Sequence, residues 1–303
     1  MPSTSSTLAV KGTVLDLSSP LVMGILNASP DSFSDGGLHR DLQARGRELI
    51  AEGADLLDVG GESGVTNRPA VSPEEEIARV VPVIEGLAPS ITISVDTYKP
   101  AVAQAAIAAG ASLVNDPSGL INHEVAEICA ATGAGLVITH TRARPKQKLH
   151  NPQYDDVVDD VKRFLAEKMD EARAAGVAED RLLLCPGPDM GKDPPQTVAL
   201  LRRIEELRPL GRPLLLAVSR KDFVGALTER PPRERLGGTL AAIAHGIARG
   251  GRVLRVHDVA AVRDYLTVQA ALAGEIEVDE DLRLVDDLRR QDVGSATAKE
   301  ASG

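Results

Sequence analysis

The chain has no tryptophan, three phenylalanines and three tyrosines in 303 residues. Hydrophobic residues nevertheless make up 43% of it. Its core must therefore be filled by Val, Leu, Ile and Ala. There are two cysteines, Cys129 and Cys185, far apart and with no metal-ligand spacing. This excludes a disulfide framework and a zinc ribbon, and it fits a reduced, cytoplasmic setting. No basic block is present and the net charge is −10, so a nucleic-acid binder is not expected. A small anionic substrate is still allowed, because local charge can oppose net charge. No apolar run approaches the length of a membrane span, so no membrane partner is expected. Residues 1–8, "MPSTSSTL", lack a basic start followed by an apolar run, so no signal peptide is expected.

What is present is a repeat. Short runs of Val, Ile and Leu alternate with longer helix-like segments. The runs are "LVMGIL" (21–26), "DLLDVGG" (55–61), "ITISVD" (91–96), "SLVND" (112–116), "GLVITH" (135–140), "RLLLC" (181–185), "PLLLAV" (213–218) and "RVLRVH" (252–257). Strands without polar alternation are buried on both faces, as in a parallel sheet. Several intervening segments open on Asp, Ser or Pro and close on Gly, as helix caps require. Eight such units in about 250 residues predict a closed (β/α)8 barrel, a TIM barrel, in one domain. An open doubly wound sheet would carry a Gly-rich phosphate turn after its first strand, and "GILNASPDS" does not match one. The barrel is expected over 13–274. Residues 1–12 are expected to be a flexible N-terminus, and 275–303 an acidic and polar tail, partly disordered.

Barrels of this kind place their sites at the C-terminal ends of the strands. Those ends read Asn27; Asp58 and Glu62; Asp96; Asn115 and Asp116; His140; Cys185; Ser219, Arg220 and Lys221; Arg255, His257 and Asp258. One polar strand end is unremarkable, since loops face water, but a full set converging on one mouth is not. Asp96, Asn115 and Lys221 could donate and accept at fixed positions, which suits a flat, nitrogen-rich heterocycle. Arg255 and His257 leave the last strand two positions apart, on one side, and could hold one anion. Asn27 is a neutral oxygen ligand, suited to Mg²⁺ held mainly by phosphate and water. Ser219, Arg220 and Lys221 precede a short helical stretch where a substrate carboxylate could sit. An exposed basic pair is the plain alternative for Arg220 and Lys221.

Five stretches together resemble the dihydropteroate synthase family: "MGILNASPDSFSDGG", "DVGGES", "SVDTYKPAVAQAAIAAGASLVND", "SRKDFVG" and "RVHDV". They run in order from about residue 20 to 272. The resemblance implies a homodimeric (β/α)8 barrel with Mg²⁺. It implies condensation of 6-hydroxymethyl-7,8-dihydropterin pyrophosphate with 4-aminobenzoate, giving 7,8-dihydropteroate and pyrophosphate in folate biosynthesis. It implies pterin binding by Asp96, Asn115, Lys221 and the residue at 185, and pyrophosphate binding by Asn27, Arg255 and His257. Lys221, Arg255 and His257 would be the catalytic set, and Asn27 the metal neighbour. Phe33, Ser219, Arg220, Thr66 and Arg68 would face the aminobenzoate, and Asp35 would order a loop that closes over the site.

Two departures stand out. The family continues from "GGES" with Thr-Arg-Pro-Gly, whereas this chain reads "GGESGVTNRPAVSPEEE", with Thr66, Arg68 and Pro69 displaced. The family also ends its sixth strand in Asp-Pro-Gly, and here Cys185 stands in the acid's place, while Asp189, four residues on, could reach back to replace it. A thiol is a poor nucleophile without a base beside it, so a pocket-lining role is expected for Cys185. Three readings follow: a dihydropteroate synthase with an altered pocket, a paralogue that binds a pterin without this reaction, and another pterin-using barrel enzyme such as a methyltetrahydrofolate methyltransferase.

Overall fold

The computed structural model describes residues 5–28, 40–63, 69–147, 149, 152–285 and 288. Its first elements lie where a flexible N-terminus was expected. Thr7–Val10 (β1) and Thr13–Asp16 (β2) form an antiparallel hairpin, with Gly12 at φ +84° in the tight turn between them. Leu8, Val10 and Leu17 are fully or almost fully buried, against Met23, Leu56, Leu113, Val137, Leu183 and Val253. The expectation for residues 5–12 is thus corrected. Four-residue strands in a polar leader give too short an alternation to read, yet their apolar side chains have a core to enter.

The eight apolar runs become eight parallel strands. They are Leu21–Asn27 (β3), Leu56–Gly60 (β4), Thr92–Asp96 (β5), Leu113–Asp116 (β6), Gly135–Thr139 (β7), Leu182–Cys185 (β8), Leu214–Leu216 (β9) and Gly251–Val256 (β10). They close in the order β10-β3-β4-β5-β6-β7-β8-β9. Side chains alternate across each strand. Met23, Leu56, Leu113, Val137, Leu183, Leu215 and Val253 share one apolar layer with the hairpin residues. The same phase carried two residues further gives Ile25, Asp58, Asn115, Thr139, Cys185, Ala217 and Arg255, where polar groups take over. The apolar layer and hairpin close one end of the barrel, and the chemistry collects at the other.

Helices follow the strands: Arg40–Ala51 (α1), Pro73–Leu87 (α2), Pro100–Ala108 (α3), Glu124–Thr132 (α4), Val157–Ala174 (α5), Pro194–Arg202 (α6), Asp222–Thr228 (α7), Leu236–Ala248 (α8) and Val259–Ala273 (α9). Their starts follow the sequence signals. Ser72 Oγ accepts from Glu75 N ahead of α2, and Asp193 with Gln196 forms a capping box on α6. Residues 1–263 form one compact unit and 264–303 a second, which holds the later part of α9. In that second unit the described residues after Ala273 form neither helix nor strand long enough to name, and Ile276, Val278, Leu282, Leu284 and Val285 are exposed. Among the described residues no helix is long and apolar enough to cross a membrane.

His140, the residue after β7, is fully buried. Its Nε2 lies 3.1 Å from Asp160 Oδ1 on α5, and its Nδ1 lies 2.7 Å from Lys192 Nζ. The Lys192 ammonium also donates to Gly187 O at 2.9 Å and Met190 O at 3.2 Å. The Asp160 carboxylate can only accept, so the ring proton sits on Nε2 and Nδ1 accepts from Lys192. This column fastens the β8–α6 loop to the barrel wall. Gly187 makes the approach possible: a β-carbon there would fall 2.0 Å from His140 O.

Two outcomes follow. Leu17→Ala should lower the free energy of unfolding by about 2–5 kcal/mol in a urea titration, as loss of a buried leucine does. A change within about 0.5 kcal/mol would show that the hairpin does not close the core. Burial first, then the charge of Lys192, pushes His140 down to about 3 from 6.5. Between those values the unfolded chain binds a proton that the folded chain does not. Stability should therefore be complete above about pH 6.5 and fall as pH drops toward 3, by up to ~1.4 kcal/mol per pH unit. Urea midpoints of wild type and His140→Gln between pH 7.5 and 5 check this. The same acid slope in both would contradict it.

Candidate active site

At the polar mouth, one guanidinium binds two carboxylates. Arg255, from β10, places Nε 2.6 Å from Asp58 Oδ2 on β4 and Nη2 2.7 Å from Asp96 Oδ2 on β5. Asn115 Nδ2, on β6, donates to the same Asp58 oxygen at 3.0 Å. Asp58 is fully buried, and it lies beside Ser94 in the β4–β5 register. Burial pushes the Asp96 carboxyl up to about 7, with Arg255 pulling against it and Asp58 adding to it. Burial opposes the charge on Arg255, but Asp58 and Asp96 outweigh it and hold the guanidinium more firmly protonated. Arg255 Nη1 and Asn115 Oδ1 have no hydrogen bond among the described residues. With Asp58 Oδ1, which is buried without a partner, they are the unspent valences of this cluster.

Asn27 stands exposed at the end of β3. A β-carbon at Gly60 would lie 3.9 Å from Asn27 Oδ1 and 3.7 Å from Asp96 Oδ2, so the glycine leaves both oxygens flanking open space. Beyond the ends of β9 and β10, Ser219 Oγ lies 2.9 Å from His257 Nδ1 and accepts from His257 N at 3.2 Å. His257 Nε2, the other ring nitrogen, has no partner among the described residues. Burial first, then Arg220 and Arg255, pushes His257 down to about 4. It is neutral near pH 7. Arg220, at φ +57°, binds Asp258 through Nε at 3.0 Å and through Nη2. Lys221 precedes α7, and its Nζ carries no hydrogen bond or ion pair among the described residues. Burial lowers its affinity for a proton, Asp189 opposing.

Cys185 ends β8 and is 2% exposed. Burial pushes its thiol up, against the Gly187 backbone and the Thr139 hydroxyl beside it. That is an inert thiol in the pocket wall, not a nucleophile. Asp189 does not stand in for an acid at 185. Its Oδ1 accepts from the Thr197 hydroxyl at 2.8 Å and its Oδ2 from Phe223 N at 3.1 Å. Both oxygens face away, toward α6 and α7.

Phe33 and Asp35, and Thr66 and Arg68 of the divergent loop, lie outside the described residues. The stems of that loop are firmly anchored. Lys99 Nζ donates to Glu62 Oε2 at 2.7 Å, Glu76 Oε2 at 2.5 Å and Val71 O at 2.6 Å. Glu62 also accepts from Val71 N at 2.8 Å and Tyr98 OH at 3.3 Å. Lys146, from the loop after β7, lies 3.5 Å from Glu62 Oε1 and donates to Ser63 O. Burial alone would raise the Glu62 carboxyl, but Lys99 and the Val71 N–H outweigh it and hold it below the usual range.

The structure thus brings together Asp96, Asn115, Lys221, Arg255, His257 and Ser219 around one mouth. It adds Asp58, which sequence reading named as a strand end without a role, and the Lys99–Glu62–Glu76 cluster. Asp58 had a signal: a carboxylate in the middle of a strand buried along its whole length needs a buried partner. Glu76 had none, lying in an acidic run typical of a helix start. For Mg²⁺ the donor set is sparse. Among the described residues no group of three or more His, Cys, Asp and Glu could hold a metal. One exposed amide oxygen, Asn27, fits an ion held mainly by substrate oxygens and water, and would not hold one alone.

Comparison with known proteins agrees with this geometry. The family described as pterin binding enzyme matches residues 23–257. The dihydropteroate synthase of Escherichia coli K12 is 42% identical over 257 residues, covering 83% of this chain and 91% of that one. Xanthomonas albilineans dihydropteroate synthase, solved with 4-aminobenzoic acid, superposes with a TM-score of 0.83 at 44% identity, over 89% of this chain and 99% of that one. The same enzyme solved with 7,8-dihydropteroate gives a TM-score of 0.80 over 88% and 98% of the two chains. The chain belongs to the dihydropteroate synthase family of pterin-binding enzymes.

Proposed function

We propose that this chain is a working dihydropteroate synthase of folate biosynthesis, joining 6-hydroxymethyl-7,8-dihydropterin pyrophosphate to 4-aminobenzoate. The observation that carries the reading is Arg255 bound between Asp58 and Asp96, with Nη1 unspent and His257 two positions on along the same strand end. One end of the mouth is then built for an anion and the adjoining wall for a heterocycle. Asp96, Asn115 Oδ1 and the Lys221 ammonium would bind the pterin ring edge, with Cys185 as a neutral wall. Arg255 and His257 would hold the pyrophosphate, where their hydrogen bonds strengthen as charge builds on the leaving oxygens.

The chemistry breaks the bond between the pterin methylene and the pyrophosphate oxygen, and the electron pair leaves with pyrophosphate. The amine lone pair of 4-aminobenzoate forms the new C–N bond, and one proton is released. Mg²⁺ would lie beside Asn27 and neutralise part of the leaving charge. Ser219 holds His257, and Arg220 spends Nε and one hydrogen of Nη2 on Asp258, leaving Nη1 and the second Nη2 hydrogen. A role for these two in binding the aminobenzoate carboxylate rests on the family resemblance, as does the homodimer; the cytoplasmic setting rests on the two isolated cysteines. The roles of Phe33, Asp35, Thr66 and Arg68 rest on the resemblance as well.

Turnover of both substrates with Mg²⁺, and its loss on chelation, is the expected result. Binding of the pterin pyrophosphate without turnover would overturn the reading. The same assay separates the residues. His257→Ala should weaken the pyrophosphate-bearing pterin by about ten-fold and leave a phosphate-free pterin unchanged. Arg255→Ala should weaken both, because Asp96 loses its partner, and Asn27→Ala should raise the Mg²⁺ requirement. An Arg255→Ala variant that binds the phosphate-free pterin normally would reject the link between Arg255 and the ring pocket.

A further inference from the structure

Lys221 stands at a junction that its own segment does not hold. As the N-cap residue of α7 it makes no side-chain capping bond. The first free N–H groups of a helix need acceptors. Here the acceptor for Phe223 N comes from another loop, as Asp189 Oδ2 at 3.1 Å. On the other side of the corner, Arg235 Nη1 donates to Arg220 O at 2.9 Å and Lys221 O at 3.1 Å. The corner that carries Lys221 is thus held from two sides, by Arg235 at its own carbonyl and by Asp189 at Phe223 N.

Asp189 is itself held unusually tightly. Its φ is +60°, in the left-handed region that costs an ordinary residue about 1 kcal/mol or more and that Asp and Asn tolerate better than most. The Thr197 hydroxyl accepts from Asp189 N at 3.0 Å and donates to Asp189 Oδ1 at 2.8 Å. On either side of Asp189, Gly187 O and Met190 O both receive hydrogens from buried Lys192, whose third hydrogen goes to His140. Tyr154 OH donates to Gly191 O at 2.7 Å. Such over-determination of a strained residue is the mark of a position that serves a site.

We propose that Asp189 is a positioning residue for Lys221: its carboxylate, fixed by Thr197 and by the loop that Lys192 pins to His140, receives the Phe223 N–H and so sets where the Lys221 side chain leaves the β9–α7 corner. The carboxylate that sequence spacing offered as a replacement for the acid at 185 thus acts at the end of the neighbouring strand, β9, through lysine. Asp189 is also the first of the groups that favour the charged form of Lys221. The effect on substrate rests on the reading of Lys221 as a pterin ligand; the effect on the corner does not.

Two variants test it. Asp189→Gly keeps the left-handed backbone and removes the acceptor. Asp189→Asn keeps both the backbone preference and an oxygen for Phe223 N–H. Hydrogen exchange of a peptide spanning 219–226 should speed up about ten-fold in Asp189→Gly and stay near wild type in Asp189→Asn, whatever the protein's activity. KM for the pterin pyrophosphate should rise about ten-fold in Asp189→Gly with KM for 4-aminobenzoate changed less than two-fold, and Asp189→Asn should recover most of the loss. Unchanged exchange in Asp189→Gly would overturn the proposal. Equal loss for both substrates, or no recovery in Asp189→Asn, would also overturn it. Faster exchange with no turnover in wild type would instead count against the assigned reaction and leave the corner as described.

Discussion

One guanidinium organises the mouth of this barrel. Arg255 touches Asp58 and Asp96, on strands four and five, from strand ten, and Asn115 on strand six closes the set through Asp58. None of these groups could be buried alone, because an unpaired ion in a protein interior costs several kcal/mol. Together they pair their charges, although Asp58 Oδ1 stays buried without a hydrogen-bond partner among the described residues. The arrangement also leaves selected valences over: Nη1 of Arg255, the carbonyl of Asn115, and the edge of Asp96 near Asn27. A recognition surface made from the leftovers of a structural cluster is rigid by construction. It needs no reorganisation when charge develops on a leaving group.

The loops around that mouth are tied down by the same device, a buried lysine with three acceptors. Lys99 gathers Glu62, Glu76 and Val71 O under the loop after β4. Lys192 gathers His140, Gly187 O and Met190 O under the loop after β8. An ammonium has three hydrogens in near-tetrahedral array, so each lysine fixes three points of backbone or side chain at once. This explains how the sequence between residues 64 and 68 could depart from the family pattern: the stems are secured by Glu62, Ser63 and Val71, outside the part that differs. It also explains why Cys185 is tolerated. The loop that follows it is held by Lys192 and Tyr154, and a carboxylate at 185 is not among the groups that hold it.

The barrel was legible because strands buried on both faces read as uninterrupted apolar runs, and all eight runs became strands within a residue or two. The hairpin was not, since Leu8 and Val10 sit in four-residue strands with nothing periodic before them. Strand ends announced Asp96, Asn115, Lys221, Arg255 and His257 by position. What position could not announce was pairing. Asp58 and Arg255 are 197 residues apart, and only barrel closure brings them to 2.6 Å. The direction of Asp189 was equally hidden: spacing put it within reach of the site of Cys185, while its left-handed backbone turns it to Phe223 N.

The account stands or falls on whether Asp58 and Arg255 act as one unit toward the pterin substrate. A double-mutant cycle of Asp58→Asn and Arg255→Met, read as calorimetric affinity for 6-hydroxymethyl-7,8-dihydropterin pyrophosphate with Mg²⁺, measures that coupling directly. The account predicts a coupling energy of at least ~1.5 kcal/mol, with the double variant little worse than the poorer single one. Effects that add to within about 0.5 kcal/mol would contradict it, because they would mean that Arg255 binds the ligand without help from the carboxylate that holds it.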